Sequence, residues 1–170
     1  MQAEPLPIPR RKEIRSAIIG RHVVSGGYRG AVIFSCGNAA RALRSWVGLN
    51  GGLYVIEVSP GGPLQPGKWW TLEEIHRAWP DLFDATPGHL PLPLMAQLAT
   101  ALREEVGDLG QGPYMVPTGS GETLLALRWA YPRTEFVAVY DCGVGTEYEE
   151  EAPLNRLVAA GGNIMRQAGQ

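Results

Sequence analysis

From Gly30 to Asp141 short apolar runs alternate with segments of helical periodicity, and this alternation constrains the fold more than any other feature of the chain. The runs "GAVIFS" (30–35), "GLYVIEVS" (52–59), "PYMVPT" (113–118) and "TEFVAVYD" (134–141) are rich in β-branched and aromatic residues and read as buried strands. "DLFDAT" (81–86) reads as a further brief strand. Strands that alternate with helices need crossover connections, and these favour an α/β three-layer fold. The expectation is an open, mostly parallel sheet with helices on both faces and right-handed connections. Residues 1–11 read as a Pro-rich extended arm and 12–170 as a single α/β domain.

The helical segments follow from spacing. "KEIRSAIIG" places Ile14, Ala17 and Ile18 on one face and predicts a short helix from Lys12 to about Gly20. "GNAARALRSWVG" (37–48) does the same with Ala39, Leu43, Trp46 and Val47. "WTLEEIHRAW" (70–79) opens with Thr71 as N-cap and two glutamates in its first turn. "LPLMAQLATALREEVG" (92–107) sets Met95, Leu98, Leu102 and Val106 along one stripe. "GETLLALRWAYP" (121–132) follows the strand at 113–118, and "PLNRLVAA" (153–160) reads as a closing helix that stops at Gly161 and Gly162.

Composition narrows the function. The 170 residues carry a formal net charge of −2, without the basic footprint of a nucleic-acid binder, so no nucleic-acid partner is expected. No apolar run approaches the roughly 20 residues that span a bilayer, and the N-terminus lacks the apolar core of a signal peptide. No membrane association and a cytoplasmic location are therefore expected. The two cysteines and three scattered histidines offer no zinc-ligand spacing, so no metal site is expected. Of 15 basic residues only Lys12 and Lys68 are lysines, which leaves two candidates for any chemistry that needs an amine.

In parallel α/β sheets ligands bind beyond the carboxyl ends of the strands, and two strand-to-helix loops are chemically distinctive there. In "TGSGET" (118–123), Gly119 and Gly121 permit close backbone approach, and Ser120 and Thr123 add hydroxyl donors at a helix N-terminus. Glu122 opposes an anion if its carboxylate points inward, and favours the helix dipole if it points away. A phosphate cradle and a plain tight turn are both open readings. In "SCGNA" (35–39), Asn38 can donate to a ligand oxygen or cap its own helix. Cys36 can be a nucleophile or an inert thiol, and no histidine near it in sequence stands as its base.

Taken together, "VIFSCGNAARAL" and "YMVPTGSGETLLALRWAYPRTEFVAVYD" resemble the fold type II pyridoxal-phosphate enzymes, the family of cysteine synthase, the tryptophan synthase β chain and threonine dehydratase. Those enzymes have a strand leading into a Ser-Gly-Asn loop and an alanine-rich helix. Later they have a strand with a Gly-x-Gly-Gly-Thr phosphate loop, a helix and a further strand. The helix before that loop carries a Gln, as "LPLPLMAQLATALREEV" does with Gln97. The match is best over 113–141 and looser over 31–47.

The resemblance implies pyridoxal phosphate as cofactor, held by its phosphate on Gly119, Ser120, Gly121 and Thr123, with Asn38 beside the pyridine ring. It implies Ser35, Cys36 and Gly37 as substrate-binding residues. Lys12, which begins a helix 26 positions before Asn38 and has Ala17 five residues on, stands where the family has its Schiff-base lysine. The alternative for Lys12 is an ordinary solvated lysine beside Arg10 and Arg11. The function implied is an amino-acid lyase or β-replacement enzyme. A small phosphate-bearing ligand or an amino acid would be its partner, and a homodimer would be a way to close the site.

Departures from the family pattern support a different reading. Members are generally much longer, Glu122 replaces the second glycine of the phosphate loop, and the usual Ser-x-Lys-Asp-Arg context is absent around Lys12. No equivalent of the C-terminal serine that meets the pyridine nitrogen is evident. The alternative is a non-catalytic descendant in which the cofactor has been lost, serving as a phosphate-ligand-binding or protein-interaction module. The tryptophans of "GKWWTLEEIHRAW" (67–79) could face a partner in that case, although aromatic clusters are more often core. A nucleotide-binding domain is a third reading, weakened because Gly-x-Gly-x-x-Gly spacing is missing after Gly119.

Overall fold

A computed structural model describes residues 3–34, 38–50, 54–58, 72–85, 90–118 and 121–140. Its elements in chain order are β1 (Glu4–Pro5), α1 (Arg11–Ser25), β2 (Gly30–Phe34), α2 (Asn38–Asn50), β3 (Tyr54–Val58), α3 (Leu72–Ala78), β4 (Leu82–Asp84), α4 (Leu92–Val106), β5 (Tyr114–Thr118), α5 (Glu122–Ala130) and β6 (Phe136–Tyr140). Among the described residues every strand pairing is parallel, and the protein is α/β. The chain divides into two compact units, Lys12–Leu90 and Met1–Arg11 with Pro91–Gln170. Among the described residues no helix is long and apolar enough to cross a membrane.

In the Lys12–Leu90 unit the sheet has the order β3-β2-β4. Gly30 stands opposite Tyr54 on one side and Leu82 on the other, and the register runs on to Phe34 opposite Val58. The successive residues Ala31, Val32 and Ile33 of the central strand are all buried, as expected for a parallel strand covered on both faces. Ile18, Ile19 and Val23 of α1 and Leu43 and Val47 of α2 complete this core. Arg15, buried on the same helix, donates from Nη2 to the Ala85 carbonyl at 2.8 Å. The rings of His22, Tyr28 and Phe83 form a cluster with centroids 4.9–5.8 Å apart.

Helix α1 runs five residues beyond the Gly20 stop that its sequence suggests. Gly20 is there for packing and not for termination. A Cβ on it would stand 2.2 Å from ring carbons of Trp46, so its bare backbone is what lets the α2 indole lie against α1. Val23, one turn further on, is buried and extends the helix.

In the other unit the sheet order is β1-β5-β6. The Pro-rich N-terminal segment is extended, as its composition suggests, and it adds a strand. Glu4 donates to the Pro113 carbonyl at 3.0 Å and Leu6 to that of Met115 at 2.9 Å, while Leu6 and Ile8 are buried. Helix α4 buries Leu94, Met95, Leu98, Ala99 and Leu102 and packs against α5. Met95, Leu98 and Leu102 belong to the stripe visible in its sequence, whose fourth member, Val106, is half-buried. Its C-terminal end is tied down from the far end of α5. Tyr131 donates its hydroxyl proton to the Gly107 carbonyl, and Arg103 donates to Ala130 O at 2.6 Å with its guanidinium carbon 4.8 Å from the Tyr131 ring centre.

Candidate functional site

β5 is the central strand of its sheet, and Gly121 follows its carboxyl end by three residues. Gly121 has φ 86° and ψ 0°, the left-handed region, and is the N-cap of α5 with no side-chain cap. A helix start of this kind has backbone N–H groups that no intrahelical carbonyl accepts, together with the positive end of the helix dipole. Thr123 is half-buried in the first turn. Gly119 and Ser120 lie outside the described residues.

Glu122 is the first residue of α5 and is 4 % exposed. Its side chain is therefore not turned out into solvent. Further along the same helix Arg128 is buried and donates from Nη2 to the Phe136 carbonyl at 3.2 Å. Burial holds its guanidinium below the ordinary arginine value.

In the other unit Lys12 is the second residue of α1 and half-buried. It lines an open cavity of about 420 Å³ between α1 and α2, with Glu13 beside it and Arg41, Ser45, Trp46 and Leu49 on α2. Asn38 is the first residue of α2 and follows β2, so its backbone holds the helix-start position that its sequence suggests. Ser35, Cys36 and Gly37 lie outside the described residues, as do Lys68, Thr71 and the segment 153–160. Among the described residues no group of three or more His, Cys, Asp or Glu side chains is placed to hold a metal ion.

The sequence reading missed the α2 wall of this cavity. Its signal is the spacing of Arg41, Ser45 and Leu49 at i, i+4 and i+8, a stripe beside the buried Leu43 and Val47. The reading also missed the buried polar residues Arg15, Ser16, Asp84 and Arg128, which local pattern treats as surface. No protein-family model matches the chain, and no curated protein matches its sequence.

Proposed function

We propose that this chain is a small protein of the pyridoxal-phosphate type, an amino-acid lyase or β-replacement catalyst, with the phosphate on the β5–α5 loop. The observation that carries the reading is Gly121. It is a left-handed glycine at the uncapped start of a helix, beyond the carboxyl end of a central parallel strand. Gly119, Ser120, Gly121 and Thr123 would hold the phosphate through backbone N–H groups and hydroxyls. The resemblance assigns the ring to Asn38, the substrate to Ser35, Cys36 and Gly37, and the amine to Lys12. Bound pyridoxal phosphate supplies an electron sink for carbanion chemistry. The left-handed Gly121 at the helix start supports such a group, and the charge of the neighbouring Glu122 opposes it. Helices on both faces of the sheet and a cytoplasmic location belong to the same proposal.

The burial of Glu122 favours a second reading, a non-catalytic descendant that keeps a phosphate-bearing ligand or a protein partner. A carboxylate at the cradle would weaken an anion without preventing the fold.

Comparing pyridoxal phosphate with pyridoxal tests the phosphate assignment. The phosphate ester is expected to bind at least about tenfold more tightly, since it adds charge-assisted hydrogen bonds. Gly121→Val, strained at positive φ, should remove that difference while leaving the far-ultraviolet circular dichroism of the chain unchanged. Equal affinity for the two compounds, or a folded Gly121→Val protein that still prefers the phosphate ester, would remove the basis for the reading.

A further inference from the structure

The cavity between α1 and α2 has an uneven lining. Its polar lining is Lys12 and Glu13 from the first turn of α1 and Arg41 from the first turn of α2, with Ser45 one turn from Arg41. Its apolar lining is Trp46, half-buried, and Leu49, which is 86 % exposed and in the last turn of α2. The indole is held by the fold, because the bare backbone of Gly20 lies directly under its ring. The Trp46 ring is thus fixed in place, and Leu49 stands exposed beside the cavity. A volume of about 420 Å³ falls in the range of small-molecule sites, roughly 300–1,000 Å³.

We infer that this cavity binds a small monocarboxylate with an apolar or aromatic body, its carboxylate on Arg41 and its body over Trp46 and Leu49. Arg41 is the natural anchor, since a guanidinium pairs with a carboxylate through two parallel hydrogen bonds. Arg41 presents one guanidinium, which matches a single carboxylate better than a phosphate dianion. The apolar body removes from water the side chains of Trp46 and Leu49, and that burial is favourable in proportion to area. Lys12 lines this cavity too, but the inference does not rest on pyridoxal phosphate, because its anchors Arg41 and Leu49 play no part in that proposal.

The test is isothermal titration calorimetry of the full chain, without pyridoxal phosphate, using 3-phenylpropanoate as probe and inorganic phosphate as comparison. Saturable binding of 3-phenylpropanoate is expected, with phosphate a weak competitor. Arg41→Ala should weaken it by about tenfold, the worth of one hydrogen-bonded charge pair. Leu49→Ser should weaken it several-fold through lost apolar contact. Both positions are exposed on α2, so neither variant should disturb folding, which circular dichroism checks. Absence of saturable binding by the wild-type chain overturns the inference. So does binding that neither variant weakens, or inorganic phosphate competing as well as the carboxylate.

Discussion

Gly20 of α1 and Trp46 of α2 meet so closely that a single added methyl group would overlap the indole, with a Cβ 2.2 Å from its ring carbons. Two effects oppose each other in Gly20→Ala. Helix propensity gains about 1 kcal/mol. Overpacking at a fixed ring costs about 1–3 kcal/mol, and a contact this short lies at the upper end. The net expectation is a fall in Tm of roughly 4–8 °C. Gly48, also in a helix but with open space around it, is the control. Gly48→Ala should raise stability by about 0.4–1 kcal/mol. Thermal unfolding followed by circular dichroism reads both.

The Tyr131 hydroxyl closes the end of α4 on Gly107, and its environment gives the protein an alkaline limit. Burial raises the phenol above its ordinary value of 10.0, Asp108 adds to this, and Arg103 opposes it. A group whose folded value is raised contributes stability that is full below the unfolded value. That contribution is lost as pH rises through the folded value. Tm should therefore hold below pH 10.0 and fall above it. Tyr131→Phe should lower Tm by roughly 2–4 °C at neutral pH through loss of about 1 kcal/mol of hydrogen bonding. It should also flatten the alkaline fall and remove one late-titrating phenol from the ultraviolet titration of the six tyrosines.

Most of the element order is legible in the sequence, for reasons that particular residues make plain. The stripe Met95, Leu98, Leu102 marks α4 because its spacing is local and each member is buried against one side. "GAVIFS" marks β2 because a fully covered parallel strand needs an unbroken apolar run. Gly20 misleads for a long-range reason: a glycine kept for a ring 26 residues away looks like a helix stop. Glu4 and Pro5 give no strand signal by themselves, since their pairing depends on Pro113 and Met115 far along the chain. At the candidate site the turn at Gly121 is legible, because few other residues fit a left-handed helix start. The inward burial of Glu122 is not, because a carboxylate in a first turn is equally reasonable facing water.

Glu122 gives the sharpest electrostatic test of the β5–α5 loop. On the proposed reading, its carboxylate would oppose a phosphate bound at this helix N-terminus. Glu122→Gln should tighten pyridoxal phosphate binding several-fold, with the gain greatest at low ionic strength. The same change should also lower stability, since Glu122 is buried and makes interactions within the protein. Binding measured against salt concentration, paired with thermal unfolding, separates the two effects. Weaker binding in the variant would mean that Glu122 supports the ligand and does not oppose it.

The central claim is that Lys12, one of only two lysines in the chain, acts on pyridoxal phosphate. Incubating the protein with pyridoxal phosphate, reducing with borohydride and mapping the label by peptide mass spectrometry tests it most directly. The account predicts a visible absorption band before reduction, one label per chain on the peptide that contains Lys12, and neither in Lys12→Ala. A label on Lys68, scattered labelling unaffected by Lys12→Ala, or no band at all would contradict it.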